Sequence, residues 1–377
     1  MELPSYRRPR VDAIQKQLIE HPELIQIIVG PRQSGKTTAS LQIRNEWKGD
    51  SLFVSADSPL PPGPEWLVHH WQRARTLERE PVLLIVDEVQ KIEGWSETVK
   101  YLHDQDRIEG RRLIVMLLGS SSLLKKKGLT ESLTGRFFLN RLHHWSYIEA
   151  YQAFGISLDQ WLFFGGYPRA LQYIEDQQFW GLYVRDSLIE TVLAKDVLQM
   201  QNVNKPALLR HLFYLAASYP AEILSYNKML GQLTDAGNTT TLAHYLSLLN
   251  SAFLLSGLEQ FKKGDKPKKG SSPKLIPWNN GLINAVTMAE YNATRANPER
   301  WGRLVENAVG AHFLNQLAGL PYTLYYWRKS GMERVGGLKT FLETYPSAAP
   351  RIIGGSGVDL ESFFKTDTAD LIRLIEE

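Results

Sequence analysis

A chain of 377 residues with a formal charge of +3 and 43% apolar residues is long enough for two or three domains and a substantial core. The absence of cysteine excludes disulfides and thiolate metal sites, in keeping with a reducing cytoplasm. So small a net charge excludes any argument from global charge for a nucleic-acid or anionic-lipid surface, and local clusters must carry such a role.

Met1 to Arg10 is basic, but Val11-Asp12-Ala13-Ile14-Gln15-Lys16 is too polar for a secretory core, and the apolar runs are of strand length, too short to span a bilayer. A cytoplasmic location is expected. The first apolar run, Leu24-Ile25-Gln26-Ile27-Ile28-Val29, reads as a strand, and Thr38 to Trp47 reads as a helix. Between them, Gly30-Pro31-Arg32-Gln33-Ser34-Gly35-Lys36-Thr37-Thr38 fills every required position of the phosphate-cradling loop G-x-x-x-x-G-K-[ST], the Walker A pattern. Glycines let backbone N–H groups close on phosphate oxygens, and the helix start adds its positive dipole end. The whole run from Gly30 to Thr38 is therefore expected to line a nucleoside triphosphate. Lys36 would reach the β- and γ-phosphates, Thr37 would ligate Mg²⁺, and Thr38 would lie near the α-phosphate.

Leu52-Phe53-Val54 follows as a second strand, and Pro59-Leu60-Pro61-Pro62-Gly63-Pro64 as an irregular turn. Pro81-Val82-Leu83-Leu84-Ile85-Val86 reads as a strand buried on both faces. It ends in Asp87-Glu88, a Walker B-like acidic pair at the sheet edge where open α/β folds bind ligands. Asp87 would hold the metal through its water shell, and Glu88 would orient or deprotonate the attacking water. The fourth strand, Leu113 to Leu118, runs into Gly119-Ser120-Ser121-Ser122, which places Ser120 or Ser121 beside the γ-phosphate. A plain serine-rich loop suits the same spacing. Lys125-Lys126-Lys127 reads as a solvated surface, and Phe137-Phe138-Leu139 as the last strand.

From Trp145 onward aromatic-rich helical segments replace strands: Ser146 to Phe154, then, past the Gly165-Gly166-Tyr167-Pro168 turn, Asp186 to Met200 with a buried stripe at Leu188, Val192 and Leu193. Leu208 to Phe261 resembles a winged helix-turn-helix, with Ser225 and Thr239 as N-caps and a strand at Phe253-Leu254-Leu255. Its candidate reading helix, Thr240 to Asn250, contains no Lys or Arg, a poor surface for DNA phosphates. The Lys-rich stretch Phe261 to Lys274 suits a solvated linker better than a basic wing.

Together these residues resemble the prokaryotic AAA+ ATPases that carry a C-terminal domain of unknown function related to PD-(D/E)xK nucleases. The likeness rests on Gly30 to Thr38, Asp87-Glu88-Val89-Gln90-Lys91, Gly119-Ser120-Ser121, Leu133-Thr134-Gly135-Arg136, Gly165-Gly166-Tyr167-Pro168, Lys195-Asp196, Gly281-Leu282 and Leu304-Val305-Glu306-Asn307. It implies adenine as the base and a homo-oligomer in which Arg136 meets the neighbouring subunit's γ-phosphate, with Arg169 a weaker second cation. After a helix from Leu304 to Leu317 and a strand from Tyr322 to Trp327, the family's acidic and Glu-x-Lys strands are missing. Glu306 and Glu333 then stand without partners, Asp359 and Glu361 read as surface acids, and no nuclease activity is expected.

The expected fold is α/β: a P-loop NTPase, AAA+-like, with a parallel sheet between helices (residues 1–150). A helical and winged-helix region (151–260) and a small α+β remnant (261–377) follow. The expected activity is Mg²⁺-dependent ATP hydrolysis that repositions the helical domains. The alternative is a nucleotide-gated module that binds a protein or DNA partner with little turnover.

Overall fold

Every residue of the strands β1 (Ile25–Gly30) and β3 (Val82–Asp87) is buried, as their largely apolar runs demand; the one polar residue inside the β1 run, Gln26, accepts from Asn140 Nδ2 at 2.9 Å. With β2 (Ser51–Ser55), β4 (Leu113–Ser120) and β5 (Phe137–Arg141) they form one parallel sheet in the order β2-β3-β4-β1-β5. The computed structural model describes residues 3–120, 123, 132–198, 203–234, 237–261, 271–328 and 337–376. Ser121, Ser122, Lys125 to Lys127, Glu333 and most of the Lys-rich stretch lie outside the described residues.

Side chains alternate along each inner strand between two cores. Ile27, Val29, Leu84, Val86, Val115 and Leu117 face one, together with Leu67 and Trp71 of α3 (Pro64–Arg75) and Val99 and Leu102 of α4 (Trp95–Ile108). Ile28, Leu83, Ile85, Met116 and Leu118 face the other, with Val11, Ile14 and Leu18 of α1 (Pro9–Glu20) and Ala39 and Ile43 of α2 (Lys36–Asn45). The handedness of crossovers accounts for this division. The chain steps one way along the sheet from β2 through β3 to β4, so α3 and α4 cover one face. It travels the opposite way from β1 to β2, so the same hand puts α2 on the other. The expected α/β sheet with helices on both faces is present. Its first crossover helix begins at Lys36 rather than Thr38, because Gly35 takes up the left-handed backbone (φ +94°) that ends the loop.

The chain separates into two compact units: residues 1–143 with 195–201, and residues 144–194 with 202–377. In the second unit Ser146 and Ser157 each begin a helix with a capping box, the side chain and backbone exchanging hydrogen bonds with Glu149 and Gln160. The Gly165-Gly166 turn is fastened by an asparagine set. Asn279 Oδ1 accepts from Gly281 N at 2.9 Å and from Gly166 N at 3.4 Å, and Asn284 Nδ2 donates to Phe163 O at 2.8 Å. Asn280 donates to Leu162 O and Leu304 O, and Asn307 donates to Asn280. Leu188, Val192 and Leu193 are buried as the helical stripe requires, although Tyr183–Ile189 and Val192–Val197 are wound as π-helix.

Helices Pro206–Ala217, Tyr226–Gln232 and Thr239–Ser251 precede an antiparallel pair, β6 (Leu255–Leu258) and β7 (Lys274–Pro277). Ser225 is an N-cap as expected, but the second cap is Asn238 and not Thr239. Asn238 has extended backbone and its Oδ1 accepts from Thr241 N at 2.8 Å, while Thr239 already has helical backbone. The strand also starts later than expected, since Phe253 holds a positive φ of 57° and turns the chain before β6. Tyr322 to Trp327 is not a strand. A single bridge ties Tyr326 to Gln260, and the flanking rings Tyr325 and Trp327 pack with Phe261 and Phe341 instead of extending a sheet. The helix expected from Leu304 starts earlier, at Pro298, where Asn297 caps it. Asp359 caps helix Leu360–Lys365, and Glu361 accepts the Tyr147 hydroxyl proton in a 3.0 Å hydrogen bond.

His312 on helix Pro298–Leu317 is only 3% exposed, among Phe363 and Phe364, and burial lowers its pKa to about 4. The folded form therefore keeps His312 neutral while the unfolded chain protonates it near the ordinary 6.5. Its contribution to stability is intact above that value and lost as pH falls toward 4, by on the order of a few kcal/mol. Thermal melts of the wild type and His312→Gln from pH 7 to about 4 test this: the wild type should lose stability through that window more steeply than the variant.

Candidate functional site

The C-terminal ends of β1, β3 and β4 lie side by side, with Gly30 in register with Ser120. Beyond β1 the chain leaves toward β2, whereas beyond β4 it crosses to β5 on the far side of β1. The reversal opens a crevice at this edge, the position at which open α/β sheets receive ligands.

The loop that closes β1 owes its shape to two different glycines. A Cβ on Gly30 would stand 2.1 Å from Leu142 O, whose own N–H donates to Val29 O, so an alanine there must push the end of β5 away. Gly35 meets nothing within 4 Å, and its requirement is the positive φ alone. Gln33 also has a positive φ (57°) and is exposed, Pro31 and Ser34 are buried, and Arg32 and Thr38 are half-buried. Arg8, 7% exposed, donates to Ser34 O and His143 O, both at 3.1 Å, and so braces the loop from beneath.

Lys36 folds back over the loop. Its Nζ donates to Gly30 O at 3.1 Å and Pro31 O at 2.8 Å. Burial pushes its ammonium below the ordinary lysine value, and the charges of Glu88, Asp196 and Asp87 oppose that shift. At the next residue, the exposed Thr37 hydroxyl donates to Asp87 Oδ2 at 2.8 Å, and Asp87 Oδ1 accepts from Glu88 N at 2.9 Å. Thr37 and Asp87 thus present two hard oxygen donors together, the kind Mg²⁺ takes. Among the described residues no three His, Asp or Glu side chains converge on a metal position. An ion here would draw its other ligands from water and from phosphate.

Glu88 stands in left-handed backbone (φ 55°) just past β3, and Gln90 Nε2 donates to its Oε2 at 2.6 Å. Ser120 is 3% exposed at the end of β4. The tertiary structure therefore gathers Gly30 to Thr38, Asp87, Glu88 and Ser120 at one sheet edge. It does not bring Arg136 there. That residue precedes β5 and its backbone carbonyl accepts from Ile25 N at the start of β1, the opposite edge of the sheet. Its guanidinium holds Asp104 of α4 through two bonds of 2.7 and 2.9 Å. Arg169 belongs to the second unit, where it pairs with Tyr173.

Three contributors to this edge carry no role in the sequence reading: Arg8, Gln90 and Asp196. Gln90 lies inside the Asp87 to Lys91 run, and its spacing two residues past Glu88 is a signal that pattern matching alone does not interpret. Arg8 is remote in sequence and nothing local announces it; Asp196 belongs to the Lys195-Asp196 pair that the family resemblance picks out, but nothing in that pair points to Arg32, 164 positions away. Asp196 grips Arg32 through Nε to Oδ2 and Nη2 to Oδ1, each at 2.7 Å.

Residues 22–151 match a family model described as an AAA domain, and residues 156–293 match a domain of unknown function, DUF8612. An uncharacterized protein of Mycobacterium tuberculosis is 26% identical over 326 residues, covering 85% of this chain and 68% of the relative. An uncharacterized protein of Haemophilus influenzae is 21% identical over 292 residues, covering 71% and 70%. Among solved structures, a Walker-type ATPase of Pyrococcus abyssi has a TM-score of 0.49 at 12% identity, covering 76% of this chain and 99% of that one. The five-stranded parallel sheet and the AAA match agree for residues 22–151, an AAA-type region on a P-loop fold. No helix among the described residues is long and apolar enough to cross a membrane.

Proposed function

We propose that the chain binds MgATP at the Gly30 to Thr38 loop and hydrolyses it. The observation that carries this reading is a buried lysine on a helix start, hydrogen-bonded to the loop it would share with phosphate, beside a hydroxyl–carboxylate pair 2.8 Å apart. Main-chain N–H groups of the loop would hold the phosphate oxygens and Lys36 would turn from Gly30 O and Pro31 O to the β- and γ-phosphates. Thr37 and Asp87 fit Mg²⁺, which when bound neutralises charge on the phosphate chain. Glu88 takes a proton from water as its oxygen attacks the γ-phosphorus and the bond to the bridging oxygen breaks, leaving ADP and phosphate. Ser120 would contact that water or the γ-phosphate.

Adenine, the subunit-bridging role of Arg136 and a cytoplasmic setting belong to the same proposal, carried by the AAA likeness. So does the division into an ATPase region (1–150), a helical and winged region (151–260) and a reduced third region (261–377) that hydrolysis would reposition. One observation favours the second reading, a nucleotide-gated module with little turnover: the Gln90 amide occupies a carboxylate oxygen of Glu88 at 2.6 Å, which holds the base at rest. DNA as the partner gains little from helix Thr239–Ser251, which carries no Lys or Arg.

Calorimetric titration with ATP, with and without Mg²⁺, and with GTP in parallel, tests the binding step. Saturable binding that strengthens with Mg²⁺ and prefers ATP is expected; no heat with either nucleotide would remove the reading.

A further inference from the structure

Arg32 and Asp196 both belong to the first compact unit, although 164 positions separate them. Their two parallel bonds are the bidentate geometry in which guanidinium and carboxylate bind most strongly. The Asp196 side chain is 4% exposed and that of Arg32 29%. Asp196 sits in Val192–Val197, a stretch of π-helix, which is rare and recurs at functional sites.

A carboxylate beside a loop shaped for an anion opposes the anion, and this one also occupies a cation that the loop would otherwise offer. Lys36 Nζ touches the carbonyl oxygens of Gly30 and Pro31, the residues immediately before Arg32 in the same loop, so a phosphate chain anchored at Lys36 lies beside Arg32 and can compete for its guanidinium. Asp196 helps keep Lys36 protonated as well, but less than Glu88 does, and bound phosphate would take over that support. Its direct bonds to Arg32 therefore dominate its influence on the loop.

We infer that Asp196 is a positioning residue that holds Arg32 as a latch: triphosphate and the Asp196 carboxylate compete for one guanidinium, and nucleotide arrival releases the Val192–Val197 turn. The latch rests on the reading of the loop as a triphosphate site. Its two consequences are opposite in sign. Nucleotide binding is weakened by the resident carboxylate, and the turn is ordered only while the loop is empty.

The probe is a non-hydrolysable MgATP analogue, with affinity read by calorimetry and backbone order by hydrogen exchange of residues 192–198. In the wild type, exchange there should rise on saturation with the analogue. Asp196→Asn should bind the analogue about tenfold more tightly, the scale of a charge-assisted hydrogen bond. Its exchange at 192–198 should already be fast without nucleotide and rise no further. Arg32→Gln should show the same fast exchange without the gain in affinity, because the competing cation is gone.

A merely structural role for Asp196 would raise exchange in the variant but would not tighten binding. Equal or weaker binding by Asp196→Asn overturns the latch, as does a wild type that binds the analogue with no change at 192–198. Should Asp196→Asn not fold, the wild-type exchange with and without analogue decides by itself. A wild type that takes up no analogue at all removes the triphosphate reading first and the latch with it, and calorimetry separates that outcome from the others.

Discussion

Lys36→Ala should lose MgATP affinity by at least about a hundredfold, the scale of charge-assisted hydrogen bonds to a partly buried phosphate. Without nucleotide the variant should fold nearly as well as the wild type. Deletion frees the Gly30 and Pro31 carbonyls, which is unfavourable, but it also removes a buried ammonium whose desolvation is itself unfavourable. Calorimetry with MgATP and thermal melts of the nucleotide-free proteins separate the two effects. Undiminished binding by a folded variant would show that the nucleotide, if it binds, binds elsewhere.

Glu88→Gln should retain MgATP binding and lose steady-state phosphate release by about 10²- to 10⁴-fold, the usual contribution of a positioned general base. The substitution keeps volume and leaves an amide oxygen that can accept from Gln90 Nε2, so the left-handed turn after β3 need not rearrange. Only the proton acceptor is removed. If parent and variant release phosphate at equal, near-zero rates while both bind MgATP, the nucleotide-gated module is the better account. An intermediate result, with substantial turnover surviving in the variant, would shift the role of base away from Glu88 and toward water or a neighbouring group at the sheet edge.

The sheet was legible because strands buried on both faces are mostly apolar, a polar side chain such as Gln26 being accommodated only where it finds a partner, here Asn140. Leu83 to Val86 and Ile114 to Leu118 could be little else. The turn of the Gly30 to Thr38 loop was legible because its glycines answer local needs: a positive φ at Gly35, a close backbone approach at Gly30, and a helix that starts at Lys36. Where the reading erred, a tertiary preference won. Asn238 reached the helix start with better geometry than Thr239, and Tyr325 and Trp327 found an aromatic cluster in place of sheet neighbours.

By itself the sequence determined the existence of the five strands, the position of the loop between strand and helix and the presence of an acidic pair after β3, since each depends on residues within one element and its turn. The tertiary structure alone decided the strand order β2-β3-β4-β1-β5, which sets Asp87 near Thr37 across an intervening β4. It also decided the pairing of Arg32 with Asp196 and of Arg136 with Asp104. Such contacts depend on where distant segments are brought by packing and crossover handedness, and a local pattern of residues carries no record of that distance.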